Sequence, residues 1–246
     1  MAPAKKTEWQ KNADFWIKII RNNLDPFRSL VTNKAVLDPF SKEKGQKILD
    51  AGCGEGYLCR KLAKRGQQMF GLDFNLQLIK AAKQLETEKP LGIKYFVADI
   101  RKTGFPASFF DGIISHQTIH EIENPEKALR EFYRLLKSGG KLIVLFLHPC
   151  FDFGSEEVKN TPLSVMYFQK TKIKKCFYLV GGIKSPSSYF YLHLFLSQWF
   201  NLFTKAGFQI AKIEEPHPPL KFIKQNSWWK NSFNKPRLIL FEAFKR

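Results

Sequence analysis

Ile48-Leu49-Asp50-Ala51-Gly52-Cys53-Gly54-Glu55-Gly56-Tyr57 runs from a short aliphatic segment into three alternating glycines, then into an amphipathic stretch reaching about Lys64. The pattern predicts a buried strand over Lys47–Asp50, a tight turn and a helix from about Tyr57 to Lys64. Glycine allows a sharp turn and lets a ligand approach the backbone. The start of a helix adds amides and the positive end of a dipole. A lone glycine-rich turn is a weak signal, so its neighbours decide what it means.

Working outward, Gln68–Asp73 reads as a second strand and Ile93–Ala98 as a third, with Leu76–Leu85 a helix between them. Asp73 ends the second strand, where a carboxylate can accept from both hydroxyls of a ribose. Asp99 follows the third, placed to accept from an adenine amino group. With Asp50, three acids close three successive strands, and open α/β sheets bind ligands at those carboxyl ends. A dinucleotide would require glycine at position 57, which is Tyr57, and Asp50 would set negative charge beside a pyrophosphate. The same carboxylate suits the ammonium of a methionine moiety. These residues therefore point to S-adenosylmethionine as cofactor.

The alternation continues with a strand at Phe110–Ser115 and a helix at Pro125–Leu136, with Asn124 as its cap and Pro125 in its first turn. Ser138-Gly139-Gly140 is read as ending that helix, and Lys141–Leu147 as the most apolar strand. Strands alternating with helices of about ten residues predict an α/β fold around a largely parallel sheet covered on both faces. Residues 5 to 40 read as two helices, the first carrying Trp9, Phe15, Trp16, Ile19 and Ile20, the second opening at Pro26. Beyond the core, a long helix is expected over Tyr189–Lys205, strands over Gly207–Ile213 and Arg237–Phe244, and a loop over Glu215–Pro236.

The chain resembles the class I, Rossmann-like S-adenosylmethionine-dependent methyltransferase family. Leu49–Gly56 is similar to its first motif, Gly71-Leu72-Asp73-Phe74 to its ribose motif and Ala98-Asp99-Ile100 to its adenine motif. Phe110–Ser115 and Leu135–Leu142 resemble its fourth strand and the approach to its fifth. The likeness is strong over about residues 45 to 148 and weak afterwards. It implies a seven-stranded sheet with the last strand antiparallel. It also implies that Gly52, Cys53, Gly54 and Gly56 meet the methionine part, Asp73 and Phe74 the ribose and adenine, and Asp99 and Ile100 the adenine. His116 would contact the methionine part through its backbone. The implied organisation is an N-terminal helical lid at 1–44, a cofactor-binding core at 45–148, a substrate cap inserted at 149–188, and the remainder of the core at 189–246.

Methyl transfer is an in-line displacement that requires alignment and exclusion of water. Histidine is a natural base near neutral pH. Both His120, in Ser115-His116-Gln117-Thr118-Ile119-His120-Glu121, and His148, after the fifth strand, are candidates for that role. The Asn-Pro-Pro-Tyr motif of nucleic-acid amino methylases is missing after strand four. The carboxylates of metal-dependent catechol-type enzymes and the paired glutamates of arginine methylases are missing as well, and no metal is expected. The insert holds Phe151, Phe153, Tyr167, Phe168, Phe177, Tyr178 and Tyr189 among lysines. His148-Pro149-Cys150-Phe151 and the later Glu215-Pro216 resemble a subgroup acting on small, often aromatic molecules.

The expected activity is transfer of a methyl group to an O, N or C atom of a small aromatic or apolar acceptor, leaving S-adenosylhomocysteine. The net charge of +18 over 246 residues keeps two alternatives open. One is a methyltransferase acting on RNA or another polyanion. The other is a non-catalytic, cofactor-binding partner protein. Four scattered cysteines form no metal spacing, and the first residues show no signal-peptide pattern, so a cytoplasmic protein with reduced thiols and no membrane span is expected.

Overall fold

The computed structural model describes residues 7–151, 167–179 and 181–246. Met1–Lys6 and, within the insert, Phe153 lie outside the described residues. The core is a seven-stranded sheet. Its strands are β1 (Lys47–Ala51), β2 (Gln68–Asp73), β3 (Lys94–Val97), β4 (Phe110–His116), β5 (Leu136–Leu147), β8 (Phe208–Glu214) and β9 (Leu238–Lys245), in the order β3-β2-β1-β4-β5-β9-β8. The first five are parallel, and β9 runs antiparallel between β5 and β8. This is the Rossmann-like α/β architecture implied by the first motif.

Both sheet faces are covered, which explains the short, almost purely aliphatic strands. Alternate residues supply two cores. Leu49, Leu142 and Val144 pack with α5 (Pro125–Leu135) and α6 (Leu196–Lys205) through Leu129, Phe132, Trp199 and Phe203. Ile48, Ile143 and Leu145 pack with α2 (Asn33–Leu37), α3 (Tyr57–Ala63) and α4 (Leu76–Glu88). The crossover from β1 to β4 leaves a crevice at the strand ends, as expected at a point where strand order reverses.

Four local expectations change. Ser138-Gly139-Gly140 does not separate α5 from a later strand, because β5 starts at Leu136 directly after the helix and the glycines lie within it. Tyr189–His193 is not helical but forms β7, paired antiparallel with β6 (Thr171–Lys175) in a separate two-stranded sheet. There Tyr189, Tyr191 and His193 are buried alternately, a period of two that fits aromatic strand residues. Glu215–Pro236 contains two short helices, α7 (Leu220–Gln225) and α8 (Ser227–Ser232), the second capped by Asn226 accepting from the Trp228 N–H at 2.9 Å. Six residues are too few to show helical periodicity, yet Trp229 is buried and stacks on Phe27 at 6.3 Å. The second N-terminal helix is a composite of a π-turn (Arg28–Thr32), α2 and a 3₁₀ turn (Asp38–Phe40).

The first helix, α1 (Glu8–Arg21), bridges the cofactor half and the insert. Asn75 Nδ2 donates to the Trp9 carbonyl at 3.1 Å and Arg21 to the Ala81 carbonyl at 2.9 Å. On the other side Asn12 exchanges two hydrogen bonds of 2.9 Å with the Ser187 backbone. Trp16 meets Phe177 edge-on at 4.8 Å, and Phe177 stacks on Tyr189 at 3.9 Å. The helix and the insert thus meet directly.

Candidate active site

One cavity of about 580 Å³ occupies the crevice. Asp50, Gly52, Cys53, Gly54, Asp73, Phe74, Asp99, Ile100 and His116 all line it; Gly56 lies just behind, at the N-cap of α3. Its other half is walled by Trp9, Trp16, Tyr57, Phe177, Tyr178 and Tyr189, with Arg28, Asp25 and Glu121 among the charged or acidic groups.

The glycine loop uses its own amides. The Gly52 and Cys53 N–H groups donate to the Leu72 carbonyl at 2.7 and 2.9 Å, Gly54 N–H to Asp73 Oδ2 at 2.9 Å and Gly56 N–H to the Cys53 carbonyl at 3.0 Å. A pyrophosphate would need such donors free. The loop instead offers space and shape: Gly52, Gly54 and Gly56 have φ of +90°, +56° and +84°. A Cβ on Gly52 would lie 2.2 Å from Thr118 Oγ1, whereas one on Gly54 would meet nothing within 4 Å.

Asp50 is buried at the end of β1. One carboxylate oxygen accepts from the Cys59 thiol at 3.4 Å, and the other, Oδ1, has no partner. Burial raises its pKa to about 7. A cationic ligand group would repair this orphaned oxygen, as an ammonium does. Asp73 accepts the Gly54 and Asn75 N–H groups at 2.9 and 2.8 Å, one on each oxygen. Burial also raises its pKa, against those bonds. Each oxygen keeps a lone pair for a ribose hydroxyl. Asp99 is half exposed and held below the usual carboxylate range by a hydrogen-bonded pair with Arg101 at 2.6 Å. Phe74 is 52% exposed on the cavity wall, an open face of the kind an adenine ring covers. These features fit the zwitterionic head, ribose and base of S-adenosylmethionine.

The two candidate bases sit elsewhere. His120 is 2% exposed, against Phe146 and Tyr191, beside a void of about 10 Å³. His148 is 3% exposed; its Nδ1 accepts the Cys150 N–H at 3.1 Å and its Nε2 meets Glu215 at 2.8 Å. A ring accepting at Nδ1 carries its proton on Nε2 and donates it to Glu215. The His148 and Glu215 motifs are therefore one contact joining the ends of β5 and β8. Neither histidine lines the large cavity, because the turn after β4 and the pairing at the end of β5 rotate both rings into packed interior.

Glu121 and Arg28 also line the cavity, without a role in the sequence reading. Glu121 accepts from Trp9 Nε1, and burial raises its pKa well above the carboxylate range. Arg28 pairs with Asp25 at 3.2 Å, and its guanidinium lies 5.6 and 5.4 Å from the ring centres of Trp16 and Tyr57. Arg28 comes from a segment remote from the motifs, and Glu121 closes the Ser115–Glu121 segment after strand four, where the histidines drew the reading instead. His116, expected to act through its backbone, lines the same cavity.

The fold is shared with solved S-adenosylmethionine-dependent methyltransferases. Residues 49–144 match the family model described as a methyltransferase domain. The chain is 35% identical over 99 residues to ubiquinone biosynthesis O-methyltransferase of Coxiella burnetii, covering 40% of this chain and 42% of that one. It is 33% identical over 116 residues to phosphoethanolamine N-methyltransferase 3 of Arabidopsis thaliana, covering 47% and 24%. The chain thus spans less than half the length of these curated relatives. A solved S-adenosylmethionine dependent methyltransferase from Mesorhizobium loti superposes with a TM-score of 0.66 at 20% identity, covering 86% of this chain and 96% of that one.

Proposed function

We propose that this chain binds S-adenosylmethionine and moves its methyl group to a small acceptor with an aromatic or apolar body. The carrying observation is the continuity of one cavity from Asp73, Phe74 and Asp99, past Asp50 and His116, to the walls made by Trp9, Trp16, Phe177 and Tyr189. When bound, the cofactor supplies an electrophilic methyl group on a sulfonium. Asp73 takes the ribose hydroxyls, Asp99 and Ile100 the adenine edge, Phe74 its face, and Asp50 the ammonium. Gly52, Cys53, Gly54 and Gly56 shape the floor under the methionine chain. The aromatic walls hold the acceptor in line and keep water out, which is where alignment lowers the barrier.

Residues 1–44 serve as a lid and the insert as a cap, with the Trp16–Phe177–Tyr189 stack as their common wall. Enclosure of this kind favours a small molecule over a polymer threading a groove. His120 and His148 act as pins of the loops after β4 and β5. Among the described residues no helix is long and apolar enough to cross a membrane.

The test is calorimetry with S-adenosylhomocysteine on wild type, Asp73→Asn and Asp73→Ala, followed by label transfer from the cofactor to a panel of small aromatic acceptors. Loss of the charge-assisted ribose bonds weakens binding by about 2–4 kcal/mol in the alanine variant and less in the asparagine variant. Unchanged affinity in a folded Asp73→Ala protein overturns the cofactor assignment.

A further inference from the structure

We propose that the imidazole of His116 holds the acceptor, with Nε2 receiving a hydrogen bond from the hydroxyl of a phenol-class molecule and the Arg28 guanidinium beside that oxygen. This rests on the methyltransferase reading above and names the chemistry of its second substrate.

The His116 carbonyl accepts from Thr118 Oγ1 at 3.1 Å, and the Leu145 carbonyl opposite it on β5 accepts from the Gln117 N–H at 2.7 Å. His116 lines the cavity, and its Nε2 is buried without a hydrogen-bond partner. A buried polar atom left unpaired is costly, and buried polar atoms in folded proteins are paired as a rule. Nothing else in the proposed function uses it.

The ring is neutral. Burial lowers its pKa to about 3, with Arg28 and His120 acting the same way and a hydrogen bond to its own backbone acting against them. A ring whose N–H is turned to its own backbone carbonyl presents a lone pair at the other nitrogen. The partner must therefore bring a proton, as an O–H or N–H does. Arg28, whose guanidinium is paired with Asp25 at 3.2 Å, favours the hydroxyl. A guanidinium near the site repels an ammonium and stabilises an oxyanion, so it acidifies a hydroxyl and disfavours an amine. Trp9, Trp16, Phe177 and Tyr189 supply flat walls suited to an aromatic ring.

In the transfer step a lone pair of the phenolic oxygen attacks the methyl carbon. The carbon–sulfur bond breaks with its pair left on sulfur, giving a neutral thioether. The hydroxyl proton passes to His116 Nε2, so the single positive charge moves from sulfonium to imidazolium. A ring of such low proton affinity then gives that proton up to solvent as product leaves.

The experiment uses the full chain saturated with S-adenosylhomocysteine and titrated with 4-nitrophenol and a series of ring-substituted phenols, read by calorimetry and by the phenolate absorbance of 4-nitrophenol. The wild type binds them and lowers the ionisation pH of bound 4-nitrophenol. His116→Ala weakens phenol binding by about fivefold to tenfold, the worth of one hydrogen bond, and keeps its affinity for S-adenosylhomocysteine. His116→Gln, which can still accept a hydrogen bond, restores part of the phenol affinity. Arg28→Gln raises the ionisation pH of bound 4-nitrophenol towards its free value. Equal phenol binding by wild type and His116→Ala, or no phenol binding by the loaded wild type, overturns the assignment while the cofactor reading stands. Loss of S-adenosylhomocysteine binding in a folded His116→Ala protein overturns it too, by giving the ring to the cofactor. Failure of the wild type to bind S-adenosylhomocysteine removes the underlying reading instead.

Discussion

Asp50 shows how a single side chain can tie folding to ligand. Burial is the main cause that lifts its pKa from 3.8 to about 7, helped by Asp73 and opposed by Cys59 and Arg28. The folded chain keeps a proton that the unfolded chain releases near pH 4, so its contribution to stability is full below that pH and declines as pH rises to about 7. An ammonium on Oδ1 reverses the preference and favours the carboxylate. Affinity for S-adenosylhomocysteine is therefore expected to rise several-fold between about pH 6 and 8 and then level. Binding near pH 6 should release close to one proton, measured by calorimetry in buffers of different ionisation enthalpy. Asp50→Asn should flatten the profile; a wild-type affinity that ignores pH over this range would show that the carboxylate does not meet the ammonium. Asp50, Asp73 and Asp99 were legible in the sequence because each follows a short apolar run. Arg28 and Glu121 were not, since only folding brings residues 28 and 121 to the cavity that Asp50 lines.

At the scale of elements, the parallel core was readable because each strand is short, aliphatic and bounded by a glycine, an acid or a cap. The hairpin of β6 and β7 was missed because Tyr189–His193 runs straight on towards α6, and an aromatic run next to a helix mimics its periodicity. Another junction carries a prediction. Glu131 on α5 accepts from the Thr103 N–H at 3.0 Å, the Thr103 hydroxyl at 2.7 Å and Arg134 at 2.7 Å, pinning the loop after β3 that carries Asp99. Burial pushes its carboxyl up, but these bonds outweigh it and hold the pKa at about 2. A carboxyl held below its unfolded value of 4.5 stabilises the fold above that pH, and the contribution fades as pH falls towards about 2. Solvent around the half-exposed Arg134 reduces the effect, leaving about 1 kcal/mol. Glu131→Gln should lower the urea midpoint at pH 7 and narrow its gap to wild type at pH 3. A gap that stays constant with pH would assign the loss to packing instead.

For the whole molecule, cofactor and fold should be linked. A ligand at 100 times its Kd adds about 2.7 kcal/mol to a protein that binds it only when folded. For a chain of this size that amounts to a rise in Tm of roughly 5–10 °C. S-adenosylhomocysteine should produce it and NADH should not, because the glycine loop has spent its amides internally; a comparable rise with NADH would reopen the dinucleotide reading. The sequence by itself determined the sheet and the three acids at its edge, because strand period, glycine turns and strand-end carboxylates are local properties that survive without neighbours. Which histidine faces the cavity was decided only by tertiary structure. His116, His120 and His148 are chemically alike in the chain. The kink at Gln117, with φ of +57°, the packing of Phe146 and Tyr191, and the Glu215 contact turn two rings into the interior and leave the third on the cavity wall.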